Sequence, residues 1–422
     1  MLAMLSGLRV LDFSDRNAYS CGRFLASLGA EVIHVESPDG DPLRQSPAPP
    51  ALVNQCHSAY WVAQNIGKKS ITLDLEQNAG IDLYRRLIPH CDFIIESFTP
   101  NYWREKNLNY QTLQQLNPKI ILISITPFGQ TGPYSDFLGA ELTASAMGGT
   151  LDTCGYPDQP PVLEALDACT YQANAAAAMG AMLAHRERGL SGLGQHIDCS
   201  IQEVAASRNT NNLIAYQFDQ RKLVRAGNCV RFGTATVRVI WKLIDGYCFH
   251  SMMTGKFGAP ANAALSRWMS DEGCANPMAD IDWEHYDRSA LAAETRAIWE
   301  AAIANFFATK TKQQIRDEGV QRGIRATVAN SPDDVLNDAH LNARHFLQEL
   351  EYNPQDLQKN FKQNPLKNQK LRYPGYFVQS SATDTRVPGT ISAVGKHNRD
   401  IYVNLLGLEP SQMQALQQQG VI

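Results

Sequence analysis

Between residues 8 and 125, short β-branched and apolar runs alternate with stretches of helical length, and this alternation constrains the fold more than any other feature of the chain. Strand, helix and strand in repetition close as a parallel sheet covered by helices, because parallel neighbours need a crossover long enough to hold a helix. Leu8–Phe13 (LRVLDF), Glu31–Glu36 (EVIHVE), Asp92–Ser97 (DFIIES) and Lys119–Ile125 (KIILISI) read as strands. Residues 18–28, 78–88 and 110–116 read as helices between them. The expected start is a doubly wound α/β unit.

Farther along, residues 46–56 (SPAPPALVNQC) read as a proline-rich surface loop, and residues 151–161 as a second irregular connection. An alanine-rich helix is expected over 167–185, stopped by GLSGLGQ at 189–195, then a strand over His196–Ser200 and a long helix over 202–218. Residues 237–244 and 247–251 read as a hairpin turning at Asp245-Gly246, followed by helical segments over 259–308 and 312–318. Residues 355–369 read as a polar surface excursion, and 402–422 as helical. The expected organisation is a large domain beginning with 1–205, a linker over 206–230, a small α+β domain over 231–330, and a return over 331–422 that completes the large domain.

Composition removes several functions. The 38 basic side chains are scattered and outnumbered by 42 acidic ones, for a net charge of −4, so no basic face is expected for a nucleic-acid backbone. The longest apolar stretches, 120–125 and 173–184, fall well short of the roughly 20 residues that cross a bilayer. Residues 1–14 lack the features of a secretory signal, and the nine cysteines show no CxxC pair or zinc spacing. Reduced, packing thiols, a cytoplasmic location and no metal site are the expectation.

The strand and helix pattern invites a nicotinamide dehydrogenase, with Glu36 on a ribose hydroxyl. The first strand-to-helix turn, DFSDRNAYSCG, lacks the glycines that let backbone approach a pyrophosphate, and no Walker loop is present. Asp167 opens the alanine-rich helix, where backbone amides and the helix dipole favour an anion. It reads either as an N-cap, worth about 0.5–2 kcal/mol, or as a nucleophile. Glu141 reads equally as a solvated acid at a helix start or as a catalytic group. Lys68, Lys69, Arg44, Arg104 and Lys106 read as phosphate-facing cations or as ordinary solvated charges. Trp241, Trp268, Trp283, Tyr286 and Trp299 read as an aromatic core or as the wall of an apolar acid pocket.

Several blocks then stand in a defined order: Gly7-Leu8-Arg9-Val10-Leu11-Asp12-Phe13, LGAEVIHVE at 28–36 with Gly40-Asp41-Pro42-Leu43-Arg44, GKKSITLDL at 67–75, and Ile95-Glu96-Ser97-Phe98. Asn117-Pro118, Phe128-Gly129-Gln130-Thr131-Gly132-Pro133, Leu166-Asp167, GLGQHID at 192–198, Gly395-Lys396-His397-Asn398 and an ending over 406–422 follow. Through these blocks the chain resembles the class III CoA-transferases, the formyl-CoA and carnitine-type enzymes, over nearly its whole length. The resemblance implies a Rossmann-like large domain with a parallel sheet, a smaller α+β domain, and two chains interlocked as rings. It implies CoA transfer from an acyl-CoA, with succinyl-CoA in keeping, to a carboxylic acid, without metal or nicotinamide. Asp167 would carry mixed-anhydride and aspartyl-CoA intermediates, with Glu141 as helper. CoA would lie near Leu73, Asp74, Ser97, Phe98, Arg104, Lys106 and Ser37, and Arg16 and Asn17 would touch CoA or substrate. A homodimer is implied, or a heteromer with a related subunit.

The same resemblance carries departures. Ser37 stands where relatives often have a basic residue, and Ser97 where they commonly have asparagine. Residues 228–240 hold no clear equivalent of the glycine-rich segment that shields the intermediate. The related α-methylacyl-CoA racemases use a histidine within Gly-His-Asp; here Gly139-Ala140-Glu141 lacks it, which disfavours proton exchange at the α-carbon.

Overall fold

Six strands form one all-parallel sheet in the computed structural model, which describes residues 3–45, 59–232, 235–351, 371–375, 378–383 and 389–422. They are β1 (Arg9–Phe13), β2 (Glu31–Glu36), β3 (Lys69–Thr72), β4 (Phe93–Glu96), β5 (Ile121–Thr126) and β6 (His196–Ser200). Their order is β3-β2-β1-β4-β5-β6, so chain direction across the sheet reverses between β1 and β4. The helices that matter to the site are α1 (Tyr19–Ser27), α2 (Ala59–Asn65), α3 (Asn78–Leu87), α4 (Pro100–Glu105), α5 (Tyr110–Leu116), α6 (Glu141–Met147) and α7 (Ala168–Ser191). The mixed α/β class with a parallel sheet is the one expected from the alternation.

Successive strand residues divide between two cores, as the two-residue period of a strand requires. Leu11, Phe13, Ile33, Ile71 and Ile94 pack on one face with Leu83, Tyr84 and Leu87 of α3 and with Tyr402, Val421 and Ile422 from the chain end. Val10, Val32, Phe93, Ile95 and Ile123 pack on the other face with Leu25 of α1 and with Ala173, Ala177, Ala181 and Ala184 of α7. That buried alanine stripe recurs at helical spacing, and its small side chains let α7 lie close against the sheet.

β3 is the strand that periodicity missed, because four residues, KSIT, beginning on a lysine carry little signal. Its outer edge is covered by the GKHN block: the Ser70 amide donates to His397 Nδ1 at 3.1 Å and the Thr72 amide to Asn398 Oδ1 at 2.9 Å. Tyr402 adds a hydroxyl bond to the Thr72 carbonyl at 2.7 Å. Backbone groups that would otherwise form an open sheet edge thus find partners 326 to 330 residues away.

Some helical boundaries differ from expectation. The alanine-rich helix continues through Gly189 to Ser191 and ends where Gly192 turns left-handed, at φ 76°. The long helix expected over 202–218 breaks at Arg208–Asn209 into Ile201–Ser207 and Thr210–Asp219. There the Asn209 side chain donates to the Gly148 carbonyl at 2.9 Å. The helical region over 259–308 is two helices, Ala259–Asp271 and Ala293–Phe307. The loop over 46–56 and the excursion over 355–369 lie outside the described residues.

The chain divides into two compact units, one of residues 1–151, 163–221 and 338–422, the other of 152–162 and 222–337. The second contains the hairpin Ile240–Leu243 and Gly246–His250, extended by Ala326–Val328. Trp241, Trp268, Trp283, Tyr286 and Trp299 are all buried in one core with Phe306 and Phe307. Their edge-on and tilted contacts fill that core, so they are packing residues and not an open acid pocket. Among the described residues, no helix is long and apolar enough to cross a membrane.

Candidate active site

Asp167 and the residue before it hold the backbone in an uncommon shape. Leu166 (φ 69°) and Asp167 (φ 50°, ψ 48°) are both left-handed, at a cost of roughly 1–2 kcal/mol per non-glycine residue. An N-cap residue normally has extended backbone, which turns its side chain over the first helical amides. Asp167 occupies the N-cap position of α7, but its carboxylate makes no capping bond. The simple capping reading is therefore corrected by the backbone conformation.

Glu141 supplies the cap instead. It begins α6 and is buried, and its two oxygens accept from the amides of Cys169 at 2.9 Å and Thr170 at 2.8 Å. The solvated-acid reading of Glu141 is corrected by this burial. Two of the orphan donors at the start of α7 are satisfied from another helix, leaving the Asp167 carboxylate free for a different partner.

That partner is Arg16. One guanidinium nitrogen, Nη2, donates to Asp167 Oδ1 at 3.2 Å and Oδ2 at 3.1 Å. The arginine also lies over the Tyr60 ring, 4.9 Å from its centroid. Burial, with the charge of the nearby Asp167 carboxylate, pushes the Tyr60 phenol pKa up. Burial opposes the charge on Arg16, but its bond to Asp167 outweighs this and raises its pKa.

The backbone under Arg16 is tied on both sides. The Asp15 amide donates to Ser97 Oγ at 2.8 Å, linking the loops after β1 and β4, where the sheet order reverses. Open parallel sheets commonly bind ligands in this crevice. The Asn17 amide donates to Asp15 Oδ1 at 2.8 Å. Asn174, fully buried, donates to the carbonyls of Asn17 and Thr170, both at 2.7 Å, and accepts from the Cys21 amide at 2.8 Å. It thereby joins α7 to the Arg16 loop and the start of α1. Tyr60 and Asn174 were not anticipated; the signal for Asn174 was a polar residue within an alanine-rich helix, seven positions after Asp167.

A second group gathers beyond the ends of β3 and β4. Asp74 Oδ1 accepts from the Glu76 amide at 2.9 Å, and Glu76 receives the Tyr102 hydroxyl at 3.0 Å and the Lys106 ammonium at 2.8 Å. Phe98 stacks on Tyr102 with centroids 4.3 Å apart. Leu73 is packed into the core, and its amide bonds to the Glu36 carbonyl at 2.8 Å. Arg104 is exposed and donates to Asn101 at 2.5 Å. Ser37 closes a tight turn on the Gly40 carbonyl at 2.8 Å.

Two cations differ from expectation. Lys68 is buried, 2.6 Å from Asp12 Oδ2. Arg44 is buried too, clasping both oxygens of Glu36 at 2.5 and 2.6 Å and lying 3.7 Å from the Trp61 ring centroid. Neither is a solvated charge or faces a ligand phosphate, and Glu36 is fully engaged instead of offered to a ribose.

The family model for CoA-transferase family III matches residues 5–379. The chain belongs to this family. It is 32% identical to the succinyl-CoA–D-citramalate CoA-transferase of Chloroflexus aurantiacus, covering 99% of this chain and 98% of that one. It is 30% identical to the succinyl-CoA:(R)-benzylsuccinate CoA-transferase subunit BbsE of Thauera aromatica, over 94% and 93% of the two chains. A CAIB/BAIF family protein from Brucella suis shares the fold, with TM-score 0.80 at 24% identity over 96% of this chain and all of that one.

Segment 139–141 carries no histidine. Glu141 is buried and used as a helix cap. His34 is enclosed between Asp12 and Asp41, and His285 is exposed on Asp282. Among the described residues no group of three or more His, Cys, Asp or Glu side chains could hold a metal ion.

Proposed function

We propose that this family III enzyme moves CoA from succinyl-CoA to a carboxylic acid through covalent intermediates on Asp167. The observation that carries the reading is the division of labour at α7: Glu141 caps the helix, while Asp167 is turned out of the cap onto Arg16. A carboxylate is a weak nucleophile in water and gains reactivity when positioned against its target. Its ionised oxygen attacks the thioester carbonyl, forming a C–O bond and expelling CoA thiolate to leave a mixed anhydride. The thiolate attacks the Asp167 carbonyl carbon, releasing succinate and leaving an aspartyl-CoA thioester. The acceptor carboxylate then attacks that thioester, and the same two steps run in reverse order of groups. No net proton or electron is transferred.

The names of the two relatives described above support the donor, both beginning with succinyl-CoA. CoA is assigned to the loops beyond β3 and β4, by Asp74, Phe98, Arg104 and Lys106. The working assembly is a homodimer with interlocked chains, or a pair with a related subunit, since one relative is itself named as a subunit. A cytoplasmic setting suits such an enzyme.

Intact-mass and peptide analysis after succinyl-CoA and hydroxylamine tests the reading. A hydroxamate on Asp167 is expected, with CoA transfer reduced at least roughly a thousandfold in Asp167→Ala. Transfer that continues with Asp167 unmodified would overturn it.

A further inference from the structure

We propose that Arg16 is a counter-ion shared in turn by Asp167 and by the carboxylate of the acid substrate, making it a substrate-binding residue for the acceptor. The inference rests on Asp167 being the nucleophile. Its starting point is a contrast between two arginine–carboxylate pairs in the same unit. Arg44 grips Glu36 through two nitrogens, at 2.5 and 2.6 Å, with both side chains buried. Arg16 reaches Asp167 through one nitrogen at 3.1 and 3.2 Å, and its side chain is 57% exposed. Charge-assisted pairs are strongest when short and bidentate. The first pair is built to stay closed, and the second can exchange its anion.

The chemistry requires such an exchange. In the resting enzyme Asp167 carries the negative charge. Once Asp167 becomes a thioester it is neutral, and the charge has moved to the free acid. The incoming carboxylate must then place an oxygen against the Asp167 carbonyl, close to where Arg16 already stands. The guanidinium stays there because the loop beneath it is bonded through Asp15 to Ser97 and through Asn17 to Asn174, with Tyr60 under its plane. One fixed cation therefore faces one carboxylate at each stage, Asp167 first and the acid second. This holds the reactant within reach of the carbonyl without a change in the net charge of the pair.

The test uses succinate as the acid. Asp167→Asn imitates the neutral, acylated residue, so calorimetry in the presence of CoA should show succinate binding at least about tenfold tighter than to wild type. Adding Arg16→Gln to Asp167→Asn should remove that gain, and Arg16→Lys in the same background should keep part of it. In the otherwise native enzyme, exchange of labelled succinate into succinyl-CoA should show kcat/KM for succinate falling more in Arg16→Gln than kcat/KM for succinyl-CoA. Equal binding of succinate by wild type and Asp167→Asn, or tight binding that survives Arg16→Gln, overturns the shared counter-ion. So does a loss confined to succinyl-CoA, which would make Arg16 a CoA contact. If the wild type forms the Asp167 hydroxamate, such a result strikes this inference alone; if it forms none, the reading of Asp167 falls and the inference with it.

Discussion

Glu96 shows how a single side chain can record the demands of burial at the end of a parallel strand. It ends β4, is fully buried, and accepts from the Phe98 amide at 2.8 Å. Burial raises its pKa from 4.5 to about 7, against the opposing pull of Ser124, Trp103 and that amide. The folded chain thus holds this proton more tightly than the unfolded chain, so the associated stability is full below pH 4.5 and is lost as pH rises through about 7. Glu96→Gln keeps an oxygen for Phe98 and removes the charge. It should stabilise the protein at pH 8 by about 3 kcal/mol, at roughly 1.4 kcal/mol per pKa unit. Urea unfolding at pH 5 and 8 checks this: the gain should shrink at the lower pH, and a pH-independent effect would show that the carboxyl is not titrating. The sequence identified Glu96 as part of a motif but could not show its state, because its desolvation comes from α4, β5 and the sheet.

At the level of elements, the start of α7 is assembled by two acids of different origin. Glu141 belongs to α6 and bonds to amides 28 and 29 residues later. Glu141→Ala would leave the buried Cys169 and Thr170 amides without these acceptors, costing about 2–3 kcal/mol. It would also remove the support that allows Leu166 and Asp167 to remain left-handed. Both a lower thermal midpoint and a lower yield of the Asp167 hydroxamate are expected. A destabilised variant with an undiminished hydroxamate yield would confine Glu141 to stability. The position of Asp167 at a helix start was legible, since an alanine-rich stretch after Leu-Asp announces it. Its release from capping was not, because the competing cap is set by how α6 docks. Periodicity likewise reported β1, β2, β4 and β5 but missed β3, whose short sequence acquires its strand character from β2 on one side and His397–Asn398 on the other.

For the whole molecule, several apolar side chains remain uncovered within the first unit. On α7, Met179 is 64%, Leu183 62% and Leu190 79% exposed, and Phe218 on the following helical segment is 86% exposed. Such surfaces are costly to leave in water, which supports the proposed dimer. Light scattering at micromolar concentration should return twice the chain mass; a monomer with full transfer activity would refute that assembly. By itself, the sequence determined the parallel α/β class, the family and the chain positions of the two acids, because these follow from residue periodicity and ordered local motifs. Tertiary structure decided which charges are spent on folding and which face the site. Lys68 and Arg44 disappear into buried ion pairs, whereas Arg16 remains open on Asp167. That distinction depends on desolvation and on partners brought from distant parts of the chain, and neither is encoded in the spacing of the residues themselves.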